Sequence, residues 1–208
     1  MISLSKLLQI QYPVILASQS PRRKQLLQQL GLEFSVQPSG LDETAVPFKN
    51  DFSEFVTRLA LLKAQDVAEK TQERSIIIGA DTIVVLKGEK LEKPVDAVDA
   101  ARMLRMLSDN VHTVFTGIAL VDSKTGVFKT ACQETAVTFR ELDEEEIVAY
   151  ITTGSPLDKA GAYGIQDDFG AVFVREIAGD YYNIVGLPLE LLYRKLKEFL
   201  KEIKNPSF

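Results

Sequence analysis

The sequence predicts an α/β fold, a mixed β-sheet flanked by helices, and three observations carry that expectation. Apolar runs of strand length alternate with segments of helical periodicity along the 208 residues. Two long strand-like runs, Val111–Val121 and Val127–Phe139, are joined at Ser123-Lys124-Thr125-Gly126, a hairpin that prevents the sheet from being wholly parallel. Hydrophobic residues make up 46% of the chain, enough for one sizeable core or for two lobes around a cleft, with the break between 110 and 140 as the candidate hinge.

The elements follow in order. Residues 13–18, with the run Val14-Ile15-Leu16-Ala17, read as a short buried strand. Ser20 then Pro21 mark an N-cap and first helical position, and Gly31 closes that helix as its C′ residue. A short strand is expected near 33–37. Residues 38–52, with Pro38, Gly40, Pro47 and Asn50, read as a polar loop. Ser53 is expected to cap a helix reaching Lys70, with Phe55, Val56, Leu59, Leu62 and Val67 at helical spacing. Ile76–Leu86 is a strong strand, turned at Lys87-Gly88 toward a return arm at Leu91. Asp96 caps a helix to Leu107 with Ala100, Ala101, Leu104 and Leu107 on one face. After the long hairpin come a helix over 143–152, a glycine-rich stretch over 154–170, and two strands at 171–177 and 181–185 turning at Gly179-Asp180. A last helix runs from Pro188 to about Lys204. No internal repeat or low-complexity segment interrupts the pattern.

Composition narrows the function. Charged residues make up 25% and the net charge is −5. An acidic chain is a poor non-specific nucleic-acid binder, because duplex affinity comes largely from neutralised phosphates, so no nucleic-acid partner is expected. A single cysteine, Cys132, excludes an internal disulfide and a CxxC metal site. Its setting, Thr130-Ala131-Cys132, suits a small buried hydrophobe better than a nucleophile. No apolar run approaches the roughly 18 residues of a membrane span. The start, Met1–Leu8, lacks the basic region and apolar core of a signal peptide, so a cytoplasmic protein without a membrane partner is expected.

Four segments carry chemistry. In Ser18-Gln19-Ser20-Pro21-Arg22-Arg23 a strand ends in a helix start loaded with cations and hydroxyls. Helix first turns favour acidic side chains, so Arg22, Arg23 and Lys24 there point to an anion, most plausibly a phosphate chain; an ordinary cap with solvated arginines is the alternative. In Ile76–Val85, Asp81 sits inside an apolar strand. A buried carboxylate needs a metal, a salt-bridge partner or acid–base work to justify its desolvation. Gly79 and Ala80 remove bulk beside it, so that a ligand could approach the backbone. In Leu91-Glu92-Lys93-Pro94, the hairpin returns Lys93 toward the end of the sheet, where it suits a phosphate oxygen or is simply a surface lysine. In Gly154–Gln166, backbone N–H groups can face phosphates and the Gln166 amide can read a base edge, unless the loop is only a rigid turn. Asp42-Glu43 and Lys63 are weaker candidates, each more often a solvated charge. His112, the only histidine, fits a structural role, and no GxSxG elbow, P-loop or GxGxxG is present.

These segments, in this order from Leu16 to Leu189, resemble the Maf family of nucleoside triphosphate pyrophosphatases. The resemblance rests on Ala17-Ser18-x-Ser20-Pro21-Arg22-Arg23, Gly79-Ala80-Asp81-Thr82, Glu92-Lys93-Pro94, Asp158–Gln166 and Asn183–Leu189. Asp81-Thr82, the Lys159–Gln166 loop and Gly186-Leu187-Pro188 look like the subfamily acting on dTTP and UTP; the subfamily acting on 7-methyl-GTP has a different residue after the aspartate. Two positions depart from the pattern: Asp167 stands where glycine is usual, and Asp109 where Ser-Gly is common. Both are turn positions that Asp can occupy.

The resemblance implies one Maf-like domain over 1–208, two lobes around a central cleft. It implies hydrolysis of a triphosphate to the monophosphate and pyrophosphate. It makes Asp81, Glu43 and Lys93 catalytic, with Asp81 and Glu43 anchoring a divalent metal, Mg²⁺ ahead of Mn²⁺. Ser18, Arg22, Arg23, Lys63, Lys93 and Lys159 would hold the substrate, and Arg22, Thr82 and Gln166 would set base preference. Family members are often dimers, so a homodimer is the partner it allows. The rivals are a pyrophosphatase for modified purines such as 7-methyl-GTP or ITP, and a non-catalytic nucleotide-binding regulator of cell division.

Overall fold

The computed structural model describes residues 3–166 and 169–204. The chain is a seven-stranded mixed sheet with helices. The elements are α1 (Leu4–Leu7), β1 (Val14–Leu16), α2 (Pro21–Gln29), β2 (Ser35–Val36), α3 (Phe52–Lys70), β3 (Ile76–Leu86), β4 (Glu89–Leu91), α4 (Ala97–Leu107), β5 (Val111–Asp122), β6 (Phe128–Phe139), α5 (Glu144–Thr152), α6 (Gly170–Phe173), β7 (Val174–Ala178), α7 (Tyr181–Val185) and α8 (Leu189–Lys204). The strand order is β2-β1-β3-β5-β6-β7, with β4 paired to β3. Among the described residues no helix is long and apolar enough to cross a membrane.

The chain divides into two compact units: Met1–Asp81, Thr116–Gln133 and Gly186–Phe208 form the first, Thr82–Phe115 and Glu134–Val185 the second. Unit boundaries therefore fall inside β3, β5 and β6 and just before α8, rather than only at the 111–139 hairpin where the sequence placed a hinge.

In the first unit β1 lies between β2 and β3 and runs parallel to both, with Leu16 opposite Val36 and Ile78. From β1 the chain goes to β2 on one side, then crosses to β3 on the other. The carboxyl end of β1, beside Ile78 of β3, is thus a topological switch point, where open α/β sheets leave a crevice for ligands. Helix α3 packs on this part of the sheet through Ala60, Ala64 and Val67 against Ile15, Ile77 and Ala119. Two glycines set its depth. A Cβ on Gly79 would lie 2.1 Å from the Ala60 carbonyl oxygen, and one on Gly117 2.3 Å from that of Val56. The space beside Gly79 is therefore filled by the α3 backbone and not by a ligand, contrary to the expectation from sequence. Helix α8 buries Leu189, Leu192, Leu196, Phe199 and Ile203, an apolar stripe at helical spacing.

In the second unit β4 returns antiparallel along β3 after Lys87 and Gly88, both at positive φ (50° and 84°), as a two-residue hairpin of the favoured hand requires. An aromatic cluster of Phe139, Tyr150, Tyr163 and Phe173 surrounds His112. Asp109 holds φ 52°, so its departure from Ser-Gly is a left-handed turn position that aspartate tolerates. Asp167 lies outside the described residues.

Several local expectations are corrected. Asp51, not Ser53, caps α3, its carboxylate accepting the Glu54 N–H at 2.9 Å. Residues 181–185, strand-like in their Tyr, Ile and Val content, form a helical turn instead. Asp180 accepts the Tyr182 N–H at 2.7 Å, and buried Asn183 donates to Val114 O and Thr135 Oγ1, so hydrogen bonding overrides β-propensity. The strand expected at 171–177 begins only at Val174, after the short α6. Cys132 is half-buried rather than buried.

Candidate active site

The end of β1 builds a cationic corner. The Ala17 N–H donates to Ile78 O at 2.8 Å, prolonging the parallel pairing before the chain turns into α2. Ser20 caps α2, its hydroxyl accepting the Arg23 N–H at 3.4 Å, and the first turn holds no acidic residue. Ser18 Oγ accepts from the Ser20 N–H and from Arg23 Nη1, both at 3.2 Å. Arg23 Nε donates to the Gly186 carbonyl at 2.9 Å. Arg23 is thereby fixed on two sides. Burial pulls its guanidinium below the ordinary value, Asp81 and Glu43 oppose that, and Arg22 adds to it. Gly186, which sequence reasoning did not single out as functional, sits at φ 115°. Its place beside Leu187-Pro188 was the available signal.

Asp81 and Glu43 meet on one cation. Lys63 Nζ lies 2.6 Å from Asp81 Oδ1 and 2.9 Å from Glu43 Oε1. Lys63 is buried, so its reading as a solvated helix charge is overturned. Ala60 and Ala64 press α3 against Gly79, which delivers Lys63, one turn beyond Ala60, to the strand that carries Asp81. Burial pushes the Asp81 carboxyl above its usual range, and Lys63 and Arg23 pull the other way without reversing it. Glu43 comes from the polar loop, in a single 3₁₀ turn over Glu43–Ala45, and stays half-exposed.

This donor set fits a hard divalent cation. Two carboxylate oxygens converge on one position of positive charge. Among the described residues no group of three or more His, Cys, Asp or Glu comes together. Mg²⁺ is bound in this manner, by one or two carboxylates with phosphate oxygens and water completing the shell.

The second unit places its candidates differently. Lys159 is buried, and its ammonium reaches Ser155 O (2.5 Å), Ser155 Oγ (3.2 Å) and Asp158 Oδ1 (2.8 Å), all in its own turn. The Gly161 N–H donates to the Glu92 carbonyl at 3.1 Å, tying the glycine-rich loop to the segment that carries Lys93. The Gly164 N–H donates to Tyr150 Oη at 3.0 Å. Lys93 and Gln166 are exposed and Thr82 is half-buried. His112 is buried, its Nε2 2.7 Å from Tyr163 Oη, in line with the structural role expected of it. Of the sequence candidates, the fold brings together Ser18, Arg23, Glu43, Lys63 and Asp81 within one unit. Thr82, Lys93, Lys159 and Gln166 belong to the other.

The family model described as Maf-like protein matches residues 13–199. A dTTP/UTP pyrophosphatase of Clostridium novyi is 50% identical over 181 residues, 87% of this chain and 94% of that protein. Proteins of the same name from Halalkalibacterium halodurans and Salinibacter ruber are 52% and 45% identical, over 89% and 98% of this chain and 95% and 99% of their own lengths. Among solved structures, a HAM1 protein from Coxiella burnetii superposes with a TM-score of 0.50 at 15% identity, covering 90% of this chain and 99% of that one, a likeness of fold.

Proposed function

We propose that this chain, which belongs to the Maf-like protein family, hydrolyses dTTP and UTP to the monophosphate and pyrophosphate. The observation that carries the proposal is the convergence of the Asp81 and Glu43 carboxylates on one cation position, with Arg23 near enough to act on both electrostatically. A triphosphate is a polyanion, and its cleavage needs cations on the phosphates, a divalent metal and an activated water.

In the proposed division of labour, Asp81 and Glu43 would hold a divalent metal, which when bound would supply positive charge to the phosphates. Asp81 also takes the proton of the attacking water. Arg22, Arg23, Lys63 and Lys93 hold the triphosphate, with the Ser18 hydroxyl and the α2 N-terminus assisting. The Lys63 ammonium, which faces Asp81 and Glu43, would also be placed to face a phosphate oxygen. The α–β phosphoanhydride breaks, water supplies the oxygen, and pyrophosphate leaves. Thr82, Arg22 and Gln166 set base preference. The Gln166 amide offers a donor and an acceptor, as does the edge of uracil or thymine with O2, N3–H and O4. Lys159 acts by holding the loop that carries Gln166.

The test is a nucleotide panel with Mg²⁺ and Mn²⁺, following products by chromatography. UTP and dTTP are expected to react fastest and to yield pyrophosphate. CTP, matched to UTP in size but inverted in donor pattern at N3 and position 4, is expected to lag. Orthophosphate with a diphosphate would overturn the cleavage site, and faster hydrolysis of ITP or 7-methyl-GTP would overturn the base preference.

A further inference from the structure

The loop that carries Glu43 is tied to α3 by more than the Glu43–Lys63 pair. Asp66 lies three residues after Lys63 on α3, hence on the same face of the helix. Its Oδ2 accepts from the Gly40 N–H at 2.8 Å and from the Ser39 hydroxyl at 3.1 Å, while Oδ1 pairs with Lys70 Nζ at 2.6 Å. Ser39 Oγ in turn accepts the Leu41 N–H at 3.0 Å. The next residue, Asp42, caps the 3₁₀ turn by accepting the Thr44 N–H and hydroxyl at 3.0 and 2.6 Å. The chain from Ser39 to Ala45 is thus pinned at its start to Asp66 and folded tightly at its end, and Glu43 between them reaches back to Lys63. Loops whose backbone groups face solvent open at little cost unless a side chain closes them. Here one closing group is the Asp66 carboxylate, one helical turn from the lysine on which Glu43 converges.

We propose that Asp66 is a positioning residue for the reaction: by bracketing residues 39–40 to α3 it sets where the Glu43 carboxylate stands, and so governs divalent-cation affinity without touching metal or substrate. The proposal rests on the assignment of Glu43 to the metal. Groups that orient metal-binding side chains typically change affinity or activity by about 10–100-fold when removed.

The experiment measures Mg²⁺ binding to the substrate-free protein by titration calorimetry, together with the Mg²⁺ concentration for half-maximal activity, in Asp66→Ala, Asp66→Asn, Lys70→Met, Glu43→Gln and the Asp66→Ala/Glu43→Gln double variant. Asp66→Ala is expected to raise the Mg²⁺ requirement about tenfold or more, the lower bound of that range. Asp66→Asn keeps an oxygen for Gly40 and Ser39 and is expected to restore most of the loss. Lys70→Met breaks only the exposed ion pair and is expected to change nothing. The double variant is expected to be no worse than Glu43→Gln alone. If Glu43→Gln leaves the Mg²⁺ requirement unchanged, the assignment of Glu43 falls. If Glu43→Gln shifts it but Asp66→Ala does not, or if the two effects add in full, the role of Asp66 falls while that of Glu43 stands. Should Asp66→Ala fail to fold, Ser39→Ala in the wild-type and Glu43→Gln backgrounds decides, with the same non-additive shift expected and full additivity refuting it.

Discussion

Lys63 and Lys159 are buried to the same degree, 8% and 7% exposed, yet they do opposite things with their charge. Lys63 draws its partners from distant parts of the chain, a loop glutamate before its helix and an aspartate on the strand after it. Lys159 holds two residues of its own turn, Ser155 and Asp158. Burial of a cation is therefore not what distinguishes a reacting site from a scaffold. A cluster assembled by tertiary structure, with one half-exposed member, is the kind the proposed function requires to exchange partners with a metal or phosphate. To do the same, Lys159 would have to give up its bonds to Ser155 and Asp158.

The largest effect that could break this contrast is on Asp81. Asparagine keeps an oxygen for Lys63 and removes the charge that burial penalises, so the fold should hold. On the proposed role of Asp81 as metal anchor and proton acceptor, its loss is expected to lower kcat by at least ~10²-fold, the usual scale for a general base. Kinetics with UTP and a thermal melt measure both. An Asp81→Asn protein with near-normal turnover would make Asp81 one more structural member of an ion pair, and the two lysines would no longer differ in kind.

The sequence carried more of this arrangement at some positions than at others. The strands β1, β3, β5 and β6 and helices α2, α4, α5 and α8 were legible because local signals agreed: apolar runs, Ser20-Pro21, Asp96 as cap, and the hairpin turns. Asp81 stood out because a carboxylate in an apolar strand violates the local rule. Lys63 did not, since a lysine at one position of an amphipathic helix looks solvated until a neighbouring strand is known to lie against it. The function of Gly79 was misread for the same reason: the absence of a side chain shows that something approaches, but not that the visitor is the Ala60 carbonyl. Helix α7 was missed because Tyr181–Val185 has strand composition, and the decision lay with Asn183 bonds to residues 114 and 135.

A middle-sized effect concerns the aromatic floor of the second unit. His112 Nε2 meets Tyr163 Oη, and its Nδ1 has no partner among the described residues, so a second ring proton would find no acceptor. Burial brings its pKa from the ordinary 6.5 down to about 4. Burial likewise pushes the Tyr163 phenol up, so Tyr163 remains neutral across the same range. Between those two values the unfolded chain binds a proton at this position and the folded chain does not, so falling pH favours unfolding. Over that window His112 should remove on the order of 3 kcal/mol of stability at ~1.4 kcal/mol per pH unit. Urea unfolding at pH 7.5 and 4.5 should show a steeper acid loss in the wild type than in His112→Asn. Equal slopes would mean that the histidine is charged in the folded state and that this floor is open to water.

The smallest effect sharpens the comparison most directly. Lys159→Met preserves length and removes the ammonium. Ser155 O then loses its donor, while Asp158, itself largely exposed, is solvated at little cost. The expected destabilisation is ~1–3 kcal/mol, the range for a polar group left unpaired. In a chain of this size that lowers Tm by about 2–4 °C per kcal/mol. With the ammonium bonded to Ser155 and Asp158, inhibition by pyrophosphate is expected to be unchanged, and the loss in kcat/KM to come from a looser Gln166 loop. A triphosphate ligand would behave in the opposite way: Tm would hold, KM for UTP would rise, and pyrophosphate would inhibit less well. That outcome would show that Lys159, like Lys63, trades its internal partners for phosphate. Distance in sequence between a buried lysine and its partners would then have no bearing on whether it works in the reaction.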